Sequence, residues 1–343
     1  MPPIASQPTI AILQVQQILQ GVRDRGLELA PILRRAGIAP ALLEAPLSRV
    51  TQAQYAALIR VLRRVTRDEL WGIANHPLKL GSFAQACRLL IHCSTLGEAL
   101  RAGAQFYHLL LEDFVPRLVV EQDKASLRLV ANPAKASPLG YAELAFCFLS
   151  YGLISWLVAR RIPVRELMYR PKDRGRSTDA ERIFLAPVVY AYPWVGYSFD
   201  ARWLDLPIVQ TPQSLQEFLQ QAPSSMLVKY RDQTNLAERI RRLLRRHLAE
   251  EMPSLEKVSQ ALALTPQTLR RRLRDEGQGF QSIKDNLRRD AAIEYLAQPE
   301  LTLLDIANRL GFSEASTFHR AFKGWTGQAP GIYRQAYLTK SAG

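Results

Sequence analysis

Gln267, Thr268, Arg270, Arg271 and Arg274 are side chains of the kinds that read nucleic-acid bases. An arginine guanidinium can fork onto guanine O6 and N7, and a glutamine amide onto adenine N6 and N7. Leu269 and Leu273, four positions apart, mark the opposite face, so the five polar groups stand on the outside of one amphipathic helix. Ala315, Ser316, His319, Arg320 and Lys323 take matching places around Phe318 and Phe322. The second set is smaller and less charged, and Ala315 can offer a base little beyond contact with a thymine methyl. On its own, the run Arg270-Arg271-Arg272 describes only a solvated basic face.

The elements that must position these groups form an internal repeat. Residues 258–265 and 306–313 each spell a short amphipathic helix, a tight turn and an N-cap hydroxyl, Thr265 in the first copy and Ser313 in the second. Pro266 suits the first position of the next helix. Thr302 and Asp305 have the spacing of a capping box opening the second copy. The pattern predicts two helix-turn-helix units, at about 254–276 and 303–325, joined by a helix over 282–296. A helix fits the major groove and presents its first turns to base edges, so the predicted partner is double-stranded DNA.

At these residues the chain resembles the AraC/XylS family of bacterial transcription regulators. The resemblance runs through Leu304-Asp305-Ile306-Ala307-Asn308-Arg309-Leu310-Gly311-Phe312-Ser313, then Phe318-His319-Arg320-Ala321-Phe322-Lys323, Gly327, and Ala329-Pro330-Gly331-Ile332-Tyr333-Arg334. It implies that both recognition helices enter successive major-groove segments on one DNA face, with Gln267, Arg270, Arg271, Ala315, Ser316, His319 and Arg320 toward the bases. It also implies RNA polymerase as a partner. Upstream, Gly81-Ser82-Phe83, Ser94-Thr95-Leu96-Gly97-Glu98-Ala99-Leu100, Phe199, Leu204, Leu206-Pro207-Ile208 and Leu215 resemble the arabinose-binding-like sensor domain of the ornithine-utilisation and VirS-like subtype. That resemblance implies effector binding and dimerisation. The effector is a small molecule, and neither its identity nor its pocket residues are spelled out.

The remaining sequence fits a sensor. Ile12, Val15, Ile18 and Leu19, and later Ala56, Ile59, Leu62 and Arg63, recur at helical spacing. Leu96, Leu100, Phe106 and Leu110 are expected core positions. Apolar runs on either side of Asp123-Lys124 read as a β-hairpin, with further strands at 164–169, 188–192 and 197–199 and an apolar core helix near 142–160. The predicted fold is an α+β N-terminal sensor domain with antiparallel strands (1–222), a linker (223–235), and an all-α DNA-binding domain of two helix-turn-helix units (236–343).

Composition agrees. The 343 residues carry a net charge of +14 and are 48% hydrophobic, which excludes a largely disordered chain and favours polyanionic partners. Cys87, Cys93 and Cys147 form no C-x-x-C pair and read as buried free thiols; His76, His92 and His108 share no helical face. The expectation is therefore no metal site and no cofactor. No G-x-S-x-G, Walker A or H-E-x-x-H string occurs, so no catalytic residue is expected and Glu143 reads as a helix cap. The apolar run at 144–159 is too short to span a bilayer, and the N-terminus lacks a secretory pattern. The reading is a cytoplasmic, effector-controlled, homodimeric transcription activator. An enzyme with a DNA-targeting tail and an effector-independent architectural DNA binder are the alternatives. Phe106, Phe146, Tyr151 and Trp194 are candidates to line an effector cavity.

Overall fold

The computed structural model describes residues 9–132, 141–171, 180–221, 236–250, 252–275 and 278–338. The expected linker at 223–235 lies outside them. The described residues pack as two units, one drawn from 16–32 and 58–221, the other from 9–15, 33–57 and 236–338. Described residues of the first stretches, 9–15 and 33–57, group with the C-terminal helices.

In chain order, β1 (Ile10–Ala11) leads into α1 (Ile12–Asp24) and α2 (Leu29–Ala36), then a 3-10 turn, β2 (Arg49–Val50) and α3 (Gln52–Thr66). Helices α4 (Ser82–Leu90) and α5 (Leu96–His108) precede the hairpin β3 (Phe114–Glu121) and β4 (Lys124–Ala131). Next come α6 (Tyr141–Leu157), β5 (Val164–Met168), α7 (Ala180–Phe184), β6 (Val188–Val189), β7 (Val195–Asp200) and α8 (Pro212–Gln221). The C-terminal helices are α9 (Leu236–Arg245), α10 (Leu255–Ala261), α11 (Pro266–Asp275), α12 (Phe280–Leu296), α13 (Leu303–Arg309), α14 (Ala315–Thr326) and α15 (Pro330–Leu338).

The first unit is built on a five-stranded sheet of order β3-β4-β7-β5-β6. Its hairpin closes at the pair Glu121 and Lys124, with Gln122 at φ 54, the positive dihedral that a two-residue hairpin turn demands. All strand pairs are antiparallel except β5 with β6, which run parallel. Helix α6 is apolar around its whole circumference and is buried along nearly all its length, as a central core helix must be. Glu143, expected to cap it, is fully buried and paired with Arg170, whose Nη1 lies 3.1 Å from Oε1. A guanidinium, rather than the helix terminus alone, neutralises this carboxylate.

The C-terminal helices form both expected helix pairs. Ser254 caps α10 by accepting from the Lys257 N–H, and Thr265 Oγ1 accepts from the Thr268 N–H at 3.1 Å ahead of α11. Thr302 and Asp305 form the reciprocal capping box on α13. Helix α14 departs from expectation: its N-cap is Glu314, without a side-chain cap bond, and not Ser313. Gly311, at φ 70, opens a turn one residue longer than its counterpart at Ala263, φ 52, so the helix starts one place later. Leu269, Leu273, Phe318 and Phe322 are buried as the spacing predicts; Tyr333 is buried as well, and Trp325 is half-exposed.

The second unit also holds the early segments. β1 and β2 pair through Ile10 with Val50 and Ala11 with Arg49. The Arg49 Nε donates to Thr9 Oγ1 at 2.8 Å, and that hydroxyl donates to Asp290 Oδ1 on α12 at 2.6 Å. These bonds fix the chain's beginning against the helix that bridges the two repeat copies.

Candidate nucleic-acid interface and ligand cavity

The five residues named on α11 share its outer face. Gln267, Arg270, Arg271 and Arg274 are exposed and, with the half-buried Thr268, line one concave surface. Leu269 and Leu273 are buried beneath them, which fixes the helix's rotation about its axis. The Thr268 hydroxyl accepts from Thr265 at 2.8 Å, so part of its capacity goes to the helix start. Glu256 on α10 titrates below the ordinary carboxylate range. Its own backbone N–H and the Ser254 hydroxyl hold it there, and the charge of Arg270 acts in the same direction.

On α14, Ser316, His319, Arg320 and Lys323 are exposed and Ala315 is half-exposed. Phe318 and Phe322, ring centroids 5.7 Å apart, hold the inner side, and Phe322 meets Tyr333 edge-on at 5.2 Å. The Ser316 hydroxyl donates to Glu314 at 2.9 Å, a consequence of the later helix start. Each helix thus carries five polar or small groups on the face opposite its apolar anchors, at the end and flank that a groove-entering helix uses. Helix α9 adds the exposed Arg239 and Arg242, and Arg246 is exposed just beyond its end; Arg241 instead turns to Gln278, 2.9 Å away.

The first unit contains an apolar cavity of about 140 Å³ between α3, α4, α5, α6 and the hairpin. Of the four aromatics proposed from sequence, Phe146 alone lines it. The Tyr151 hydroxyl donates to the Ile162 carbonyl at 2.8 Å, Trp194 lies under Arg128 at 4.7 Å, and Phe106 packs edge-on against Tyr107 at 5.4 Å. Sequence reasoning missed the charged lining, Arg63 and Glu69, which are 3.0 Å apart. Arg63 extends the apolar stripe of α3 at helical spacing, and that was its one visible signal. Burial raises the Tyr107 phenol above its ordinary range, the nearby charges of Cys87 and Glu69 adding to it. Among the described residues, no cluster of three or more His, Cys, Asp or Glu side chains could hold a metal ion, and no helix is long and apolar enough to cross a membrane.

Residues 26–208 match the arabinose-binding domain of AraC transcription regulator, N-terminal, and residues 258–336 match a helix-turn-helix domain. The chain belongs to the AraC family of transcription regulators. Among AraC-family relatives, the ornithine utilization regulator of Pseudomonas aeruginosa is 23% identical over 330 residues, 95% of this chain and 96% of that protein. VirS of Mycobacterium tuberculosis is 29% identical over 205 residues, covering 60% of this chain and 59% of its own. The crystal structure of the transcriptional regulator CdpR from Pseudomonas aeruginosa aligns over 94% of this chain and 98% of its own, with 21% identity and a TM-score of 0.33.

Proposed function

We propose that the chain is a cytoplasmic, non-enzymatic transcription activator that binds DNA as a homodimer, engages RNA polymerase, and responds to a small molecule held in its N-terminal domain. The observation that carries this reading is the pair of helices α11 and α14, each with its apolar residues buried and its polar residues on the opposite, largely exposed face. On α11 the groups proposed to reach DNA are Gln267, Thr268, Arg270, Arg271 and Arg274; on α14 they are Ala315, Ser316, His319, Arg320 and Lys323. The bridging helix α12, 17 residues long, sets their separation as a rigid strut would. One chain then spans two successive major grooves, about 34 to 36 Å apart.

Hydroxyl-radical footprinting of the full chain, on a duplex selected from random sequence, tests this. The expected pattern is two protected half-sites, each covering two adjacent grooves. Protection of a single groove per chain would remove the two-helix reading.

A further inference from the structure

The cavity in the N-terminal unit has a floor and a mouth of different chemistry. Leu70, Leu90, Leu100, Phe146, Leu153 and Ile154 are buried and form an apolar floor. Phe83, Ala84, Ala104 and Leu219 are half-exposed and mark the mouth, where Arg63 also stands with 42% of its side chain exposed. Among the described lining residues Arg63 is the one cation and Glu69 the one acid.

These two groups are unequally satisfied. Glu69 is 7% exposed and takes three donors: the Gly81 N–H at 2.7 Å, the Phe83 N–H at 2.6 Å and Arg63 Nη2 at 3.0 Å. The backbone donors come from the start of α4, so the helix's positive end already meets a carboxylate. Arg63 presents five N–H donors in a fork, and among the described residues its hydrogen-bonded partner is Glu69. The surplus at the mouth is therefore one of donors on a positioned guanidinium, which suits a carboxylate head group.

Size limits the tail. An engineered cavity of about 150 Å³ accepts benzene, whereas sites for drug-sized ligands begin near about 300 Å³. Building on the reading of this unit as the effector-binding domain, we propose that the cavity binds a small carboxylic acid of about six to eight carbons, its hydrocarbon on the Leu70, Leu100, Phe146 and Leu153 floor and its carboxylate on Arg63. Glu69 is a positioning residue that aims the guanidinium. Leu219 lies on α8, which in chain order directly precedes the segment leading to the DNA-binding helices, so a ligand at the mouth touches the element from which that connection starts.

Calorimetric titration of the full chain with straight-chain acids from butanoate to dodecanoate tests the assignment, with the methyl ester and alkylamine of each length alongside. Affinity is expected to rise roughly fourfold per methylene and to stop rising near octanoate, with the ester and the amine at least about tenfold weaker than the acid. Arg63→Met should erase the preference for acid over ester while the ester still binds. Arg63→Lys, which keeps a cation beside Glu69, should retain part of it. Ala104→Phe should block every member of the series by filling the mouth. Equal binding of acid and ester by the unaltered chain, or undiminished preference in Arg63→Met, would overturn the proposal. Gel-shift affinity of the unliganded chain and of Arg63→Met for the selected duplex is measured in parallel. DNA binding that persists while no acid binds overturns the ligand and leaves the DNA reading standing; loss of DNA binding with acid binding intact does the reverse.

Discussion

The phenol of Tyr333 is hydrogen-bonded to the backbone of Arg49 at both of its polar groups: it accepts from the N–H at 3.0 Å and donates to the C=O. The two residues are 284 positions apart, and the tyrosine is fully buried. Helix α15 of the DNA-binding unit is thereby tied to a strand near the chain's beginning. Tyr333→Phe keeps the ring against Phe322 but strips both backbone groups of this partner. A loss of about 1 to 3 kcal/mol in urea unfolding is expected. The segment 236–343 made without residues 1–57 should melt below the corresponding transition of the full chain, because it lacks Arg49 altogether; equal melting would mean that the clasp contributes nothing.

The turns of the two repeat copies give a paired prediction. Ala263 stands at φ 52, where an L side chain is strained, while Gly311 holds the equivalent place at φ 70. Ala263→Gly should therefore stabilise the first unit by roughly 0.5 to 1 kcal/mol. Gly311→Ala should destabilise the second, since its Cβ would sit 2.5 Å from the Glu250 carbonyl oxygen in addition to the positive φ. Thermal melting of the two variants should shift in opposite directions.

Packing and reading separate on α14. Phe322 has no exposed surface, and Phe322→Ala should cost about 3 to 5 kcal/mol. Arg320 is exposed and Arg320→Ala should leave unfolding unchanged while weakening operator binding. Similar melting temperatures for both would show the inner and outer faces to be misassigned.

Thiol chemistry follows from burial. Desolvation, with the Glu69 charge adding to it, pushes the Cys87 thiol up to about 12, and burial raises Cys147 well above the usual range. Cys93 is raised as well but is half-exposed. A raised pKa keeps the unreactive thiol form present until pH climbs to it, so at pH 8 Cys87 and Cys147 should resist a disulfide reagent. Cys93 should react first, all three should react after denaturation, and rapid labelling of Cys87 in the native chain would contradict the burial assigned to it.

The C-terminal repeat was readable because caps, apolar spacing and turn residues are local signals. Thr302 with Asp305, and Leu269 with Leu273, lie within one or two helical turns of each other. The Ser313 cap was misplaced because a one-residue change in turn length leaves the flanking string unaltered. Strands β1 and β2 were missed for a different reason: two-residue strands have no periodicity, they pair with each other across some forty residues, and the groups that anchor Thr9 and Arg49 beside them, Asp290 and Tyr333, are far away in sequence. The cavity escaped for a third. An aromatic that lines space and one that fills it have the same spacing, so Phe146 could not be told from Tyr151. Arg63 in turn was hidden as one more position on an amphipathic helix.

We propose that α11 and α14 read DNA separately, through the exposed groups on each. Selection of bound sites from random duplex DNA by the unaltered chain, Arg271→Ala and Arg320→Ala tests it most directly. The unaltered chain should recover two preferred blocks centred about 10 base pairs apart. Arg271→Ala should relax preference in one block and Arg320→Ala in the other, each by the roughly 1 to 3 kcal/mol of a bidentate base contact. Recovery of the unaltered pattern by both variants, or relaxation of the same block by both, would contradict the account.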